Sequence, residues 1–196
     1  MKTEITVQLY DDVHTLLTKL RNKNAKFIEE YQINDFYFSK YSDSEINSKK
    51  YKDILDNSFI VREVVDGKSK RAKIVYKTKK LDQEGNVIAE DKLSVNIDNA
   101  ELTVDLFNRA GLNCWCELKN HSFVYSISGV EFVIQVVEDL GIFIECEENN
   151  SIEHLSSDEK FKYLKKFILG LGLEIGDDFS CKKVYMKYLK DKGLTI

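Results

Sequence analysis

The stretch Leu140-Gly141-Ile142-Phe143-Ile144-Glu145-Cys146-Glu147 decides how this chain folds. Ile144 and Cys146 alternate with Glu145 and Glu147. A strand over about 142–147 therefore carries an apolar face and a face with two carboxylates. The same division recurs elsewhere. Ile5, Val7 and Leu9 point one way, and Glu4, Thr6 and Gln8 the other. Lys73, Lys77 and Lys79 share one face of a further strand. A sheet with one wet outer face explains any single case. A closed barrel with helices packed outside and a polar lumen explains the set.

Working outward, Asp11 and Asp12 offer an N-cap to a helix carrying Val13, Leu16, Leu17 and Leu20. Residues 27–40 are aromatic and β-prone and hold one or two strands, and 41–50 reads as a loop. Strands at 59–65 and 71–79 flank Asp66-Gly67-Lys68, a hairpin signal. Gln83-Glu84-Gly85-Asn86 predicts a turn before a strand at 87–97. Asn99 caps a helix that Gly111 closes. The second half predicts strands near 112–119, 122–127, 130–137 and 142–147. Ser156 and Glu159 then form a capping box, and a last helix covers about 180–191. The rhythm is that of an α+β chain with mostly antiparallel pairing and no internal linker.

Composition sets the outer bounds. The chain has 196 residues and no proline, where average usage of about 5% predicts roughly ten. Only four of the 29 basic residues are arginine, a bias typical of A/T-rich coding. The hydrophobic share of 43% excludes a disordered chain. The formal net charge of −4 argues against a general nucleic-acid coat but leaves room for a local basic pocket. Four cysteines without a Cys-x-x-Cys pair, and three scattered histidines, argue against structural zinc. Free thiols, no signal peptide and no membrane-length apolar run make a cytoplasmic protein the expectation.

The strand at 140–147 resembles the Leu-Gly-x-Phe-x-Glu-x-Glu signature of the CYTH superfamily, the triphosphate-tunnel proteins. That superfamily includes class IV adenylate cyclases, thiamine triphosphatases and inorganic or RNA triphosphatases. The likeness extends through Asp35-Phe36-Tyr37-Phe38, Phe59-Ile60-Val61-Arg62 and Ile74-Val75-Tyr76-Lys77, and ends on Val184-Tyr185-Met186-Lys187-Tyr188-Leu189. It implies one domain over residues 1–196 with a mostly antiparallel, closed eight-stranded barrel and helices outside. It also implies that Arg62, Lys73 and Lys77 bind phosphate, and that Glu4, Glu145 and Glu147 hold Mg²⁺ or Mn²⁺. Lys and Arg suit phosphate oxygens as point charge and planar fork, and carboxylates suit a hard divalent ion. The implied ligand is a triphosphate or other small anion, the implied chemistry is at a P–O–P bond, and the chain is a monomer or homodimer without membrane contact.

The resemblance is incomplete. The opening Glu-x-Glu-x-Lys of the family is Glu4-Ile5-Thr6-Val7-Gln8 here, and the first Arg of Arg-x-Arg is Ile60. The Arg/Glu strand keeps only Glu90. Lys-x-Arg-x-x-Tyr becomes Asn120 to Tyr125, keeping only the Tyr, and the acid before the signature is Gln135. Two functions follow as alternatives. One is a metal-dependent triphosphatase or adenylate cyclase-like enzyme. The other is a catalytically inactive member whose tunnel binds a phosphorylated or anionic small ligand. A purely structural module is a third, weaker reading. Among other signals, Gly67-Lys68-Ser69 reads as a turn rather than a phosphate loop. Gly170-Leu171-Gly172 reads as a helix end, His121 as a surface or half-buried residue, and Lys182, Lys183 and Lys187 as a solvated helix face.

Overall fold

The computed structural model describes residues 2–67, 69–81 and 87–194, and the side chains among these outside 79–90. The turn expected at 83–86 and the side chain of Glu90 lie outside the described residues. Eight strands form one sheet in which every ladder is antiparallel. In chain order they are β1 (Glu4–Leu9), β2 (Lys26–Ser39), β3 (Ser58–Asp66), β4 (Ser69–Leu81), β5 (Val87–Ile97), β6 (Asn113–Ile127), β7 (Val130–Val137) and β8 (Gly141–Glu147). The spatial order is β1-β8-β7-β6-β2-β3-β4-β5.

The two-faced strands sort the core. Outward-facing Ile5, Val7 and Leu9 of β1, Ile144 and Cys146 of β8, and Phe132 and Ile134 of β7 form one buried cluster. They pack on Leu16 and Leu20 of α1 (Val13–Asn22) and on Leu164 and Ile168 of α5 (Ser157–Gly170). Each such side chain removed from water stabilises the fold by about 1.5–3 kcal/mol. Asp12 caps α1 through the Thr15 amide, and Ser156 and Glu159 form the expected box on α5. On the other side, α4 (Ala100–Arg109) covers Phe38 and Val61 with Phe107.

Two expectations need correction. Residues 41–50 are not a loop throughout: α2 (Asp43–Ser48) begins on a reciprocal Ser42–Glu45 capping box, and α3 (Tyr51–Leu55) follows. Their Ile46, Ile54 and Leu55 are buried, which draws a polar-looking segment into the fold. The strands expected at 112–119 and 122–127 are one strand, β6. Asn120 and His121 keep it continuous by pairing with β2 on one side and β7 on the other.

The turn into β8 explains the Leu-Gly of the signature. Asp139 has φ +58° and Gly141 φ +122°, and the second value is one that residues with a Cβ rarely adopt. At the other turn, Gly67 has φ +54° between β3 and β4, in keeping with a hairpin.

Sheet closure takes two forms. No ladder joins β1 to β5 among the described residues. Along most of β1, the second edge is taken by residues 174–181. The Thr6 amide donates to the Phe179 carbonyl, Cys181 donates to Thr6, Gly176 to Gln8, and Tyr10 to Glu174. At the Glu4 end, Lys92 of β5 bridges to Glu4 and Glu147. The 174–181 segment leads directly into α6 (Lys183–Asp191) and so delivers the start of that helix to the lumen.

Candidate active site

A cavity of about 220 Å³ lies inside the sheet. Its wall is built by strand alternation. Glu4 and Thr6 come from β1, Tyr31 and Asp35 from β2, Arg62 from β3, Lys77 from β4 and Lys92 from β5. Asn120 of β6, Gln135 of β7 and Glu145 and Glu147 of β8 complete it, with Lys182, Lys183 and Val184 entering from the last segment. Carboxylate oxygens of Glu4, Glu145 and Glu147 lie within 4.8 Å of one another. The β1–β8 register causes this: Glu4 is opposite Glu147, and Thr6 opposite Glu145.

Five of the six expected site residues therefore converge: Glu4, Glu145, Glu147, Arg62 and Lys77 all line the cavity. Lys73 does not line it. Lys73 pairs directly opposite Arg62 and shares that face of the sheet. Burial and the nearby Arg62 charge lower its ammonium from the usual lysine range.

Arg62 is held by a partner that sequence reasoning did not identify. Asp35 faces it across the β2–β3 ladder. Arg62 Nε donates to Asp35 Oδ1 at 2.6 Å and Nη2 to Oδ2 at 2.5 Å, a two-point fork. The Asp35 side chain is only 2% exposed. Burial of Arg62 works against its charge, and Asp35 outweighs it, raising the guanidinium above its ordinary value.

Lys183 is a second residue missed, and the expectation of a solvated helix face fails for it. Its ammonium donates to Glu145 Oε2 at 2.6 Å and to the amide oxygen of Gln135. Both side chains of the Lys183–Glu145 pair are mostly buried. Burial alone would raise the Glu145 carboxyl. The Lys183 charge and hydrogen bond, helped by Lys77 and Lys92, hold it well below the usual carboxylate range. Val184 and Tyr188, one turn apart and both buried, fix which side of α6 meets the sheet.

The neutral residues that depart from the resembled motifs have two fates. Thr6, Asn120 and Gln135 line the cavity, and Ser122 is fully buried, donating to Asn120 Oδ1 at 2.7 Å. Ile60 and Val75 oppose each other one step from Arg62 and Lys77 on the same faces. They are buried with Tyr37, Leu118, Val184, Ile54 and Leu55, so this end of the lumen is filled by an apolar plug. His121 is outside the cavity, half-exposed against Phe123 and 3.5 Å from Glu30. Tyr125 also faces away, stacked on Phe132. The four cysteines are unpaired. Among the described residues no helix is long and apolar enough to cross a membrane.

The antiparallel sheet, polar lumen and outer helices make this a fold of the triphosphate-tunnel type. Solved structures share it. The PH1819 protein of Pyrococcus horikoshii OT3 matches at 18% identity over 98% of this chain and 99% of its own, with a TM-score of 0.69. HpAC1 from Hippeastrum, described as a candidate adenylyl cyclase with a dominant triphosphatase activity, matches at 14% identity over 100% and 98%, TM-score 0.63. A candidate adenylate cyclase of Vibrio parahaemolyticus matches at 10% identity over 96% and 97%, TM-score 0.60. Identities this low establish the fold. No family profile matches the chain, and no curated protein does.

Proposed function

We propose that the lumen binds a short phosphate chain together with Mg²⁺ or Mn²⁺ and cleaves a P–O–P bond. The observation that carries this reading is the convergence of three carboxylates with Arg62, Lys77 and Lys92 in one cavity. The donor set fits the ion: three carboxylate oxygens within 4.8 Å of one another are hard ligands of the kind these metals take. Glu4, Glu145 and Glu147 would hold it. When bound, the metal would supply charge neutralisation at the phosphate oxygens and a more acidic water. Lys77 and Lys92 orient the chain as point charges, and Arg62, whose Nε and Nη2 hold Asp35, offers its remaining N–H groups at the plug end.

The lumen of about 220 Å³ suits a short phosphate chain, and a further cavity of about 670 Å³ that shares Tyr31, Glu145 and Glu147 leaves room for a larger group attached to it. The test is phosphate release from tripolyphosphate, pyrophosphate, ATP and thiamine triphosphate with Mn²⁺, with cyclic AMP assayed in parallel. Tripolyphosphate turnover that disappears in Glu147→Gln supports the reading. No turnover of any of these above that variant overturns it.

A second reading, an anion receptor without turnover, is favoured by the Asp35–Arg62 and Glu145–Lys183 pairs, which already satisfy two of the groups a reaction needs. Calorimetry with phosphate and pyrophosphate separates the two: binding without turnover supports the receptor.

A further inference from the structure

The carboxylates of the lumen are met by cations of the chain itself. Lys92 reaches from β5 to Glu4 at 3.1 Å and to Glu147 at 2.8 Å. Lys183 reaches from α6 to Glu145 at 2.6 Å. We propose that these two ammonium groups stand where a divalent metal would, so that metal enters the triad only by displacing them. This rests on the reading of Glu4, Glu145 and Glu147 as the metal ligands.

The geometry sets up a competition. Each lysine is bonded to a carboxylate of the triad that the metal would also need. A divalent ion bonds oxygen at about 2.0–2.6 Å, so an ammonium kept on the same carboxylate would remain in close, poorly screened repulsion with it. Screening is weakest at Glu145 and Lys183, whose side chains are 18% and 15% exposed.

The second partner of Lys183 points the same way. Gln135 occupies a lumen position where a further acid would favour metal. Its amide oxygen accepts from the ammonium without adding negative charge. Gln135 and Lys183 thus form one arrangement that satisfies Glu145 from within the chain. Displacement also has a structural consequence. Lys92 joins β5 to β1 and β8 across the part of the seam that has no ladder, and Lys183 ties the first turn of α6 to β8. Metal entry would therefore loosen both elements at the mouth of the cavity.

The experiment is calorimetric titration of Mn²⁺ alone into the full chain, Lys183→Met, Lys92→Met and Glu147→Gln. Removing a competing cation should tighten Mn²⁺ binding in each lysine variant by about tenfold or more, the scale of one charge-assisted bond. Unchanged or weaker binding in both lysine variants, with Glu147→Gln abolishing it, overturns the displacement and leaves the metal site standing. Binding that survives intact in Glu147→Gln, or that no chain shows, overturns the metal site and the displacement with it. Should a lysine variant not fold, the unmodified chain decides. On Mg²⁺ addition, the ammonium resonances of Lys92 and Lys183 should shift to those of solvated lysines, and unmoved resonances refute the proposal.

Discussion

Asp35→Asn tests whether Arg62 is a structural residue held by its neighbour or a cation poised for the lumen. The native pair has two short bonds, 2.6 and 2.5 Å, between side chains that are 2% and 22% exposed. Asparagine keeps one acceptor and loses the charge. Each charge-assisted bond contributes about 1.5–3 kcal/mol, and breaking a buried pair costs about 3–5 kcal/mol. Because the guanidinium keeps some access to water, the lower end applies, about 3 kcal/mol. For a chain of this size that corresponds to a fall of about 6–12 °C in Tm. Urea unfolding of both chains measures the loss. Repeating it with tripolyphosphate gives the decisive comparison. A guanidinium released from Asp35 can take phosphate oxygens, so the anion should stabilise the variant more than the unmodified chain. A variant within about 0.5 kcal/mol of the unmodified chain, or one that gains no more from tripolyphosphate, refutes this account of Arg62.

Two further outcomes follow from the same lumen. The folded-state Glu145 carboxyl is held below its unfolded value of about 4.3. Its contribution is thus fully present above that pH and is lost as pH falls toward the lowered folded value; urea unfolding between pH 6 and 3 should show a shallower acid loss in Glu145→Gln than in the unmodified chain. Ile60→Arg, which recreates the missing arginine of the resemblance, should destabilise rather than restore, by several kcal/mol. It would place a charge among Val75, Leu55 and Val184 without a partner, and circular dichroism melting would show it; an unchanged Tm with tighter pyrophosphate binding would contradict the plug.

The strands were readable because alternation is a local property. Glu145 and Glu147 opposite Ile144 and Cys146 settle which face is buried without knowledge of any neighbour, and Ser156 with Glu159 marks a helix start within four residues. What escaped depends on contacts distant in sequence. Asp35 and Arg62 are 27 residues apart and meet only through the β2–β3 register. Lys183 looks like part of a charge run until residues 174–181 dock along β1 and carry α6 to the mouth of the lumen. The short α2 was hidden for another reason. Its Ser, Asp and Asn content resembles a turn, and its stability comes from burying Ile46 against the sheet rather than from helical pattern. Site residues followed the same division: carboxylates and lysines on strands could be assigned to a face, whereas the partner each one holds could not.

The fold carries the site but does not define its chemistry. Ile60 and Val75 fill one end of the lumen, while Thr6, Asn120 and Gln135 supply neutral hydrogen-bonding groups around the rest. Several of the remaining charges are internally paired: Asp35 with Arg62, Glu145 with Lys183, and Glu4 and Glu147 with Lys92. Under the proposed function, a phosphate chain and its metal would exchange partners with these groups rather than enter a set of waiting charges.

Crystals grown with Mn²⁺ and tripolyphosphate, measured for anomalous scattering, test this most directly. The account predicts an anomalous peak bounded by carboxylate oxygens of Glu4, Glu145 and Glu147, with phosphate density against Lys77 and Arg62. A lumen that binds the anion with no peak at the triad, and with the Lys92 and Lys183 pairs intact, would contradict it.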